Sequence, residues 1–155
     1  MASLLALTHG QPLKLLAPGE VLTTAGEQSG ELYILESGKL SVIREGVEIA
    51  TIKEPGALIG EMSVLLGIEH SATVKAVTPS GVRVIADAIP FLERSPLVAL
   101  HVATLACARL NATSALLAEL KRQAGTKDQG LFARIFAAMV ITDPKKDGEL
   151  WADHE

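Results

Sequence analysis

Aromatic side chains are scarce in this chain: three Phe, one Tyr and one Trp, 3% of 155 residues. Whatever core it buries is therefore aliphatic. Cysteine is scarcer still, with Cys107 alone. That excludes a disulfide framework, points to a reducing compartment, and leaves Cys107 as a small apolar helix residue. Basic clusters are missing and the formal net charge is -4, so no electrostatic footprint for nucleic acid is present. No apolar run approaches the ~20 residues that cross a bilayer. The N-terminal run Ala2–Leu7 is short and lacks a positive leader, a poor signal peptide. The expected location is the cytoplasm, with no membrane partner. His9, His101 and His154 are scattered without metal-ligand spacing, and no serine stands in a nucleophile elbow. Neither a metal-dependent nor a hydrolytic enzyme is expected.

What is present is ordinary globular material, 48% hydrophobic and 21% charged, long enough for one well-buried core. Residues 1–17 read as a weak helix ending near Gly10-Gln11-Pro12. From Pro18 to Asp87, glycines punctuate short apolar runs: VLTT, ELYILE, KLSVIR, VEIATIK, ALI, ATVKAV and VRVIA. Leu32 and Ile34, then Leu40 and Val42, alternate with polar neighbours. Closely spaced short strands with turn signals predict an antiparallel β-roll, a jelly-roll-like barrel. Glu45-Gly46 suits a tight hairpin turn. The fold class is α+β, with a short N-terminal helix and a long C-terminal one.

That long helix starts at Ser95-Pro96, a cap followed by proline at the first helical position. It runs to about Gln123, with Gly125 as its stop. Ala99, Ala103, Ala106, Leu110, Thr113, Leu117 and Leu120 recur at alternating spacings of four and three, a seam of coiled-coil type. A homodimer through helix 96–123 is expected, although one helix lying on the barrel fits the same pattern. Residues 1–125 form the main domain. Residues 126–155 hold a short amphipathic helix at 128–140, with Leu131, Phe132, Ile135, Phe136, Met139 and Val140 on one face, and then a charged tail in which Trp151 can dock.

The chemically unusual stretch is Gly60–Ala76, GEMSVLLGIEHSATVKA. A Gly-Glu pair opens a one-turn apolar helix, a glycine loop follows, and a His-Ser step runs into a β-type segment. That order of parts suits a small phosphorylated sugar ring held against a sheet. A carboxylate accepts from a ribose hydroxyl, which fits Glu61. Gly60 lets backbone approach the ring. The helix start favours an anion. Ser71 offers a hydroxyl and an N–H, and His70 a switchable cation. Taken singly, each residue has a plain structural reading: a helix start, a loop end, a surface histidine.

Taken together, Gly60-Glu61-Met62 through His70-Ser71-Ala72-Thr73-Val74 resembles the phosphate-binding cassette of cyclic nucleotide-binding domains. Pro18–Leu22 and Glu31–Leu40 resemble that family's opening strands, and the likeness extends over roughly residues 13–122. It implies that Gly60 and Glu61 hold the ribose, that Met62 belongs to the ligand-binding cassette, and that Ser71 and Ala72 bind the cyclic phosphate. Ala108–Ser114 resembles the dimer helix of the family's catabolite activator group. That likeness implies adenine contacts from Thr113 and Ser114, the serine reaching from the partner subunit, and support of the ribose by Arg109. Without the likeness, Thr113 is a threonine bonded to its own helix.

His70 departs from the pattern, since the family usually has arginine there. Losing one charge-assisted hydrogen bond costs roughly 1.5–3 kcal/mol. Three outcomes stay open: a protonated, pH-sensitive His70; a phosphate held by Ser71 and backbone alone; or a pocket that has lost nucleotide. The expected function is a cyclic nucleotide sensor, cyclic AMP ahead of cyclic GMP, with no cofactor. Ligand binding is coupled to movement of the C-terminal helix, and a protein partner is left unidentified. The alternative is a degenerate member that binds no nucleotide and serves as a dimerisation module. The residues after 121 are too few for a winged DNA-binding domain, so DNA is not an expected partner.

Overall fold

The computed structural model describes residues 3–125 and 129–138. The chain divides into two compact units, residues 1–103 and 104–155. The first holds, among the described residues, eight strands in two four-stranded antiparallel sheets. One sheet has the order β1-β8-β3-β6, from β1 (Leu13–Leu16), β8 (Ser80–Ile85), β3 (Leu32–Ser37) and β6 (Leu58–Ile59). The other has the order β2-β7-β4-β5, from β2 (Val21–Thr23), β7 (Thr73–Ala76), β4 (Leu40–Arg44) and β5 (Val47–Ile52). The roll foreseen from the glycine spacing is present as two open sheets; the described residues form no closed barrel.

The core is aliphatic apart from one phenol: Leu16, Leu22, Tyr33, Leu35, Leu40, Ile59, Val74, Ala76 and Val82 pack together. Both faces of β3 are covered. Tyr33 and Leu35 belong to this cluster, while Leu32 and Ile34 are equally buried. Helix α1 (Leu4–Thr8) touches β3 and buries Leu4 and Thr8. It starts where the Ser3 hydroxyl accepts from the Ala6 N–H and ends as Thr8 donates to the Leu4 carbonyl. Between β4 and β5, Glu45 and Gly46 both take positive φ, 52° and 78°. That is the two-residue turn whose twist matches the flanking strands, and Arg44 pairs with Val47 across it.

One strand departs from expectation. Residues 13–16 lie past the expected helix end near Gly10-Gln11-Pro12 and before the strand runs that begin after Pro18, and Leu and Lys are good helix formers. They form β1 instead, paired with β8 from Leu13↔Arg83 to Leu16↔Ser80. Arg83 reinforces this edge by donating to the Gln11 carbonyl at 3.0 Å and to Glu36 at 2.9 Å. Tertiary pairing overrides local preference here.

Helix α3 spans Ala88–Arg94. It leads into α4 (Pro96–Ala124), which stops at Gly125 with φ 66°. At 29 residues with a mean hydropathy of 1.2 in its most apolar window, α4 is long and apolar enough to cross a membrane by length and composition. The expectation that no segment reaches this threshold is corrected: scattered alanines, with Arg109 and Asn111 among them, break the run to the eye but not the average. In the second unit the seam positions Ala106, Leu110, Thr113 and Leu120 are exposed, and Leu117 is half-buried. Helix α5 (Gln129–Ala138) lies where a short helix was expected. The side chains of Phe132 and Phe136, and Met139, Val140, Trp151 and the tail, fall outside the described residues.

Candidate functional site

Between β6 and β7 the chain leaves the sheets for Gly60–Ala72. Gly60 has φ 88° and ψ 3° and opens α2 (Glu61–Leu66), with Glu61 in the first turn. A side chain at Gly60 is strained by that φ, and its Cβ would stand 3.0 Å from the Glu31 carbonyl oxygen. The helix closes tightly. Gly67 is its left-handed cap, the Ile68 N–H donates to the Ser63 carbonyl at 3.1 Å, and the Ser63 hydroxyl donates to the Ile68 carbonyl at 2.6 Å. The acidic first turn complements the helix dipole.

The return strand is laced to the β2–β3 loop. The His70 N–H donates to the Glu27 carbonyl at 2.8 Å and the Gly26 N–H to the His70 carbonyl at 2.9 Å. The Ala25 N–H donates to the Thr73 hydroxyl at 3.0 Å. This lacing buries His70 to 8% exposure, so it is not a surface loop residue. Its Nε2 lies 3.3 Å from the Ser29 hydroxyl, and its Cε1 would lie 3.7 Å from a Cβ on Gly60. Ser29 accepts from the Glu31 N–H at 3.3 Å, and the Tyr33 hydroxyl donates to Glu31 Oε2. Burial first, then the bond to Glu31 and its negative charge, push the Tyr33 phenol up to about 12, with Ser29 pulling the other way.

His70 lines two open clefts. One, of about 540 Å³, is bounded by Gln28, Gly67, Ile68, Glu69, His70 and Ser71. The other, of about 260 Å³, runs between β2 and its loop from Val21 to Ser29. The structure thus gathers Gly60, Glu61, Met62, His70, Ser71 and Ala72 in one cassette of the first unit. Met62 and Ser71 are exposed, and Glu61 and Ala72 are half-buried. Arg109, Thr113 and Ser114 lie on α4 in the second unit. Arg109 and Thr113 are exposed, and the Ser114 hydroxyl donates to the Leu110 and Asn111 carbonyls at 2.7 and 3.1 Å. Sequence reasoning missed Ser29, Glu31 and Tyr33. The lone tyrosine inside an apolar strand was the visible signal, but its partners meet His70 only through the fold. No cluster suited to a metal ion occurs among the described residues.

A two-sheet roll interrupted by a helix that a left-handed glycine opens, followed by a loop returning to the opposite sheet, defines a regulatory β-roll domain. Residues 13–88 match the family model described as the cyclic nucleotide-binding domain, and the β-roll of this chain belongs to that family. The chain is similar to the Thermus thermophilus catabolite activator protein, with a TM-score of 0.65 and 29% identity over 76% of this chain and 59% of that one. It is 34% identical over 61 residues to a cAMP-dependent protein kinase regulatory subunit of Yarrowia lipolytica, covering 39% of this chain and 16% of that protein. It is also 36% identical over 75 residues to the acetyltransferase Pat of Mycolicibacterium smegmatis, covering 46% and 22%. The chain therefore spans less than a quarter of these two curated relatives.

Proposed function

We propose that this chain is a non-enzymatic, cytoplasmic regulatory module that binds a cyclic nucleotide, cyclic AMP ahead of cyclic GMP. The observation that carries the reading is the cassette. A left-handed Gly60 places Glu61 at the head of α2, and His70-Ser71-Ala72 re-enters the sheet alongside. Glu61 accepts from the ribose 2′-hydroxyl, Gly60 and Met62 line the ribose, and Ser71 and Ala72 hold the phosphate. Arg109, Thr113 and Ser114 are the contribution of α4, with Thr113 and Ser114 selecting adenine. Family likeness to a cAMP-dependent kinase regulatory subunit and a catabolite activator protein supports this ligand class.

Ligand contacts made in only one position of α4 shift the population toward that position. Residues 1–125 act as the sensor, and residues 126–155 relay the shift to a second subunit or a protein partner. The exposed seam of α4 supports a homodimer. Calorimetric titration of the full chain with cyclic AMP and cyclic GMP tests the reading, with Glu61→Ala as control. The expected outcome is saturable binding that the variant loses. A melting temperature and heat signal unmoved by either nucleotide at millimolar concentration overturns it in favour of a dimerisation module without ligand.

A further inference from the structure

Strands β2 and β7 run as a ladder until the register shifts between Val21 and Thr23. Beyond that shift two threonine hydroxyls take over. The Thr73 hydroxyl accepts from the Ala25 N–H at 3.0 Å, and the Thr23 hydroxyl donates to the Ala72 carbonyl at a longer 3.5 Å. Backbone pairing resumes at His70, whose N–H donates to the Glu27 carbonyl at 2.8 Å and whose carbonyl accepts from the Gly26 N–H at 2.9 Å. The β2–β3 loop therefore holds the chain on both sides of Ser71-Ala72, at residue 70 and again at residues 72 and 73. The Ser71 N–H and hydroxyl and the Ala72 N–H themselves meet no acceptor among the described residues.

The charge around this dipeptide makes its anchoring matter. Segments 24–33 and 60–72 carry Glu27, Glu31, Glu61 and Glu69 and no lysine or arginine. His70, their one basic side chain, is buried with its ring against the Ser29 hydroxyl. An anion seated at Ser71-Ala72 is then held by N–H and O–H dipoles. A full charge attracts an anion from any direction, whereas a dipole does so only when it is aimed. Dipoles aimed before the ligand arrives need no ordering on binding.

We propose that Thr73 is a positioning residue: its hydroxyl pins the β2–β3 loop to the cassette through Ala25, and this clamp aims Ser71-Ala72 at an anionic phosphodiester. The clamp stands on the hydrogen bonds alone; the aiming rests on the cyclic nucleotide reading above. Thr73 is half-buried at the head of β7. It acts through the loop and does not itself hold the ligand. Loop and ligand are linked in both directions, so an anion seated at Ser71-Ala72 also steadies the loop.

The test uses the full chain. Amide hydrogen exchange without ligand reads the clamp, with Leu35 and Val82 in the core as the reference for global stability. Thr73→Val keeps the shape and loses the acceptor. It is expected to speed exchange at Ala25, Gly26 and His70 about 5- to 10-fold relative to that reference, and Thr73→Ser restores it. Exchange at those amides that moves no more than at Leu35 and Val82 overturns the clamp. Calorimetry with cyclic AMP reads the aiming. Thr73→Val is expected to weaken binding about 3- to 10-fold, while Thr73→Ser binds as wild type does. An affinity unmoved by Thr73→Val, or weakened equally in Thr73→Ser, overturns the aiming. Wild type gives a reading that needs no variant to fold: cyclic AMP is expected to slow exchange at Gly26 and His70. Bound cyclic AMP with unchanged exchange there also overturns the aiming. No binding by wild type overturns the cyclic nucleotide reading and the aiming with it, while exchange without ligand still decides the clamp.

Discussion

Gly60 and His70 stand side by side, and each is held by something distant in sequence. At Gly60 the constraint is steric: φ is 88° and the Glu31 carbonyl closes the space where a Cβ would go. Gly60→Ala is expected to cost about 1–3 kcal/mol, read as a lower urea midpoint. At His70 the constraint is hydrogen bonding. His70→Arg exchanges a short imidazole for a longer, permanently charged fork. It is expected to tighten cyclic AMP binding roughly tenfold at about pH 8, by calorimetry. An unchanged affinity removes charge as the reason for the histidine. The sequence already singled out Gly60, Glu61, His70 and Ser71 by their chemistry, and likeness to the family added Ala72. It did not reveal that His70 is buried, nor that Ser29 meets it, since 41 residues separate that pair.

Among the elements, α2 and α4 rest on different physics. Helix α2 is too short to persist alone, and Ser63 ties its end to Ile68. Ser63→Ala is expected to destabilise by about 1 kcal/mol, checked by chemical denaturation. Helix α4 carries exposed leucines, among them Leu110 at 52% and Leu120 at 53%. A fully buried leucine contributes roughly 1.5–3 kcal/mol. Leu110→Glu with Leu120→Glu is therefore expected to convert a dimer to a monomer in sedimentation, with the fold retained. A wild type that sediments as a monomer removes the seam argument. The hairpin at Glu45-Gly46 and the stop at Gly125 were legible, because positive φ has a residue signature. Strand β1 was not, because LKLL prefers helix until β8 offers its edge.

For the molecule as a whole, the phenol inside the core gives stability a limit in alkali. Tyr33 moves from 10.0 to about 12 on folding, so the folded state resists its ionisation. Its contribution is complete below the unfolded value and is lost as pH rises from there through the folded one. On the order of 2–3 kcal/mol is at stake. Urea midpoints across that range are expected to fall more steeply in wild type than in Tyr33→Phe; parallel slopes would contradict the assignment.

Composition and spacing alone pointed to the aliphatic roll and the long seam-bearing helix, and likeness to a known family singled out the cassette. All three depend on local periodicity and on residues with narrow conformational or chemical use. The pairing of β1, the burial of both faces of β3 and the polar chain behind His70 depend on contacts across the sheets and loops. No local pattern encodes those contacts, because the partners come together only when the two sheets close over one core.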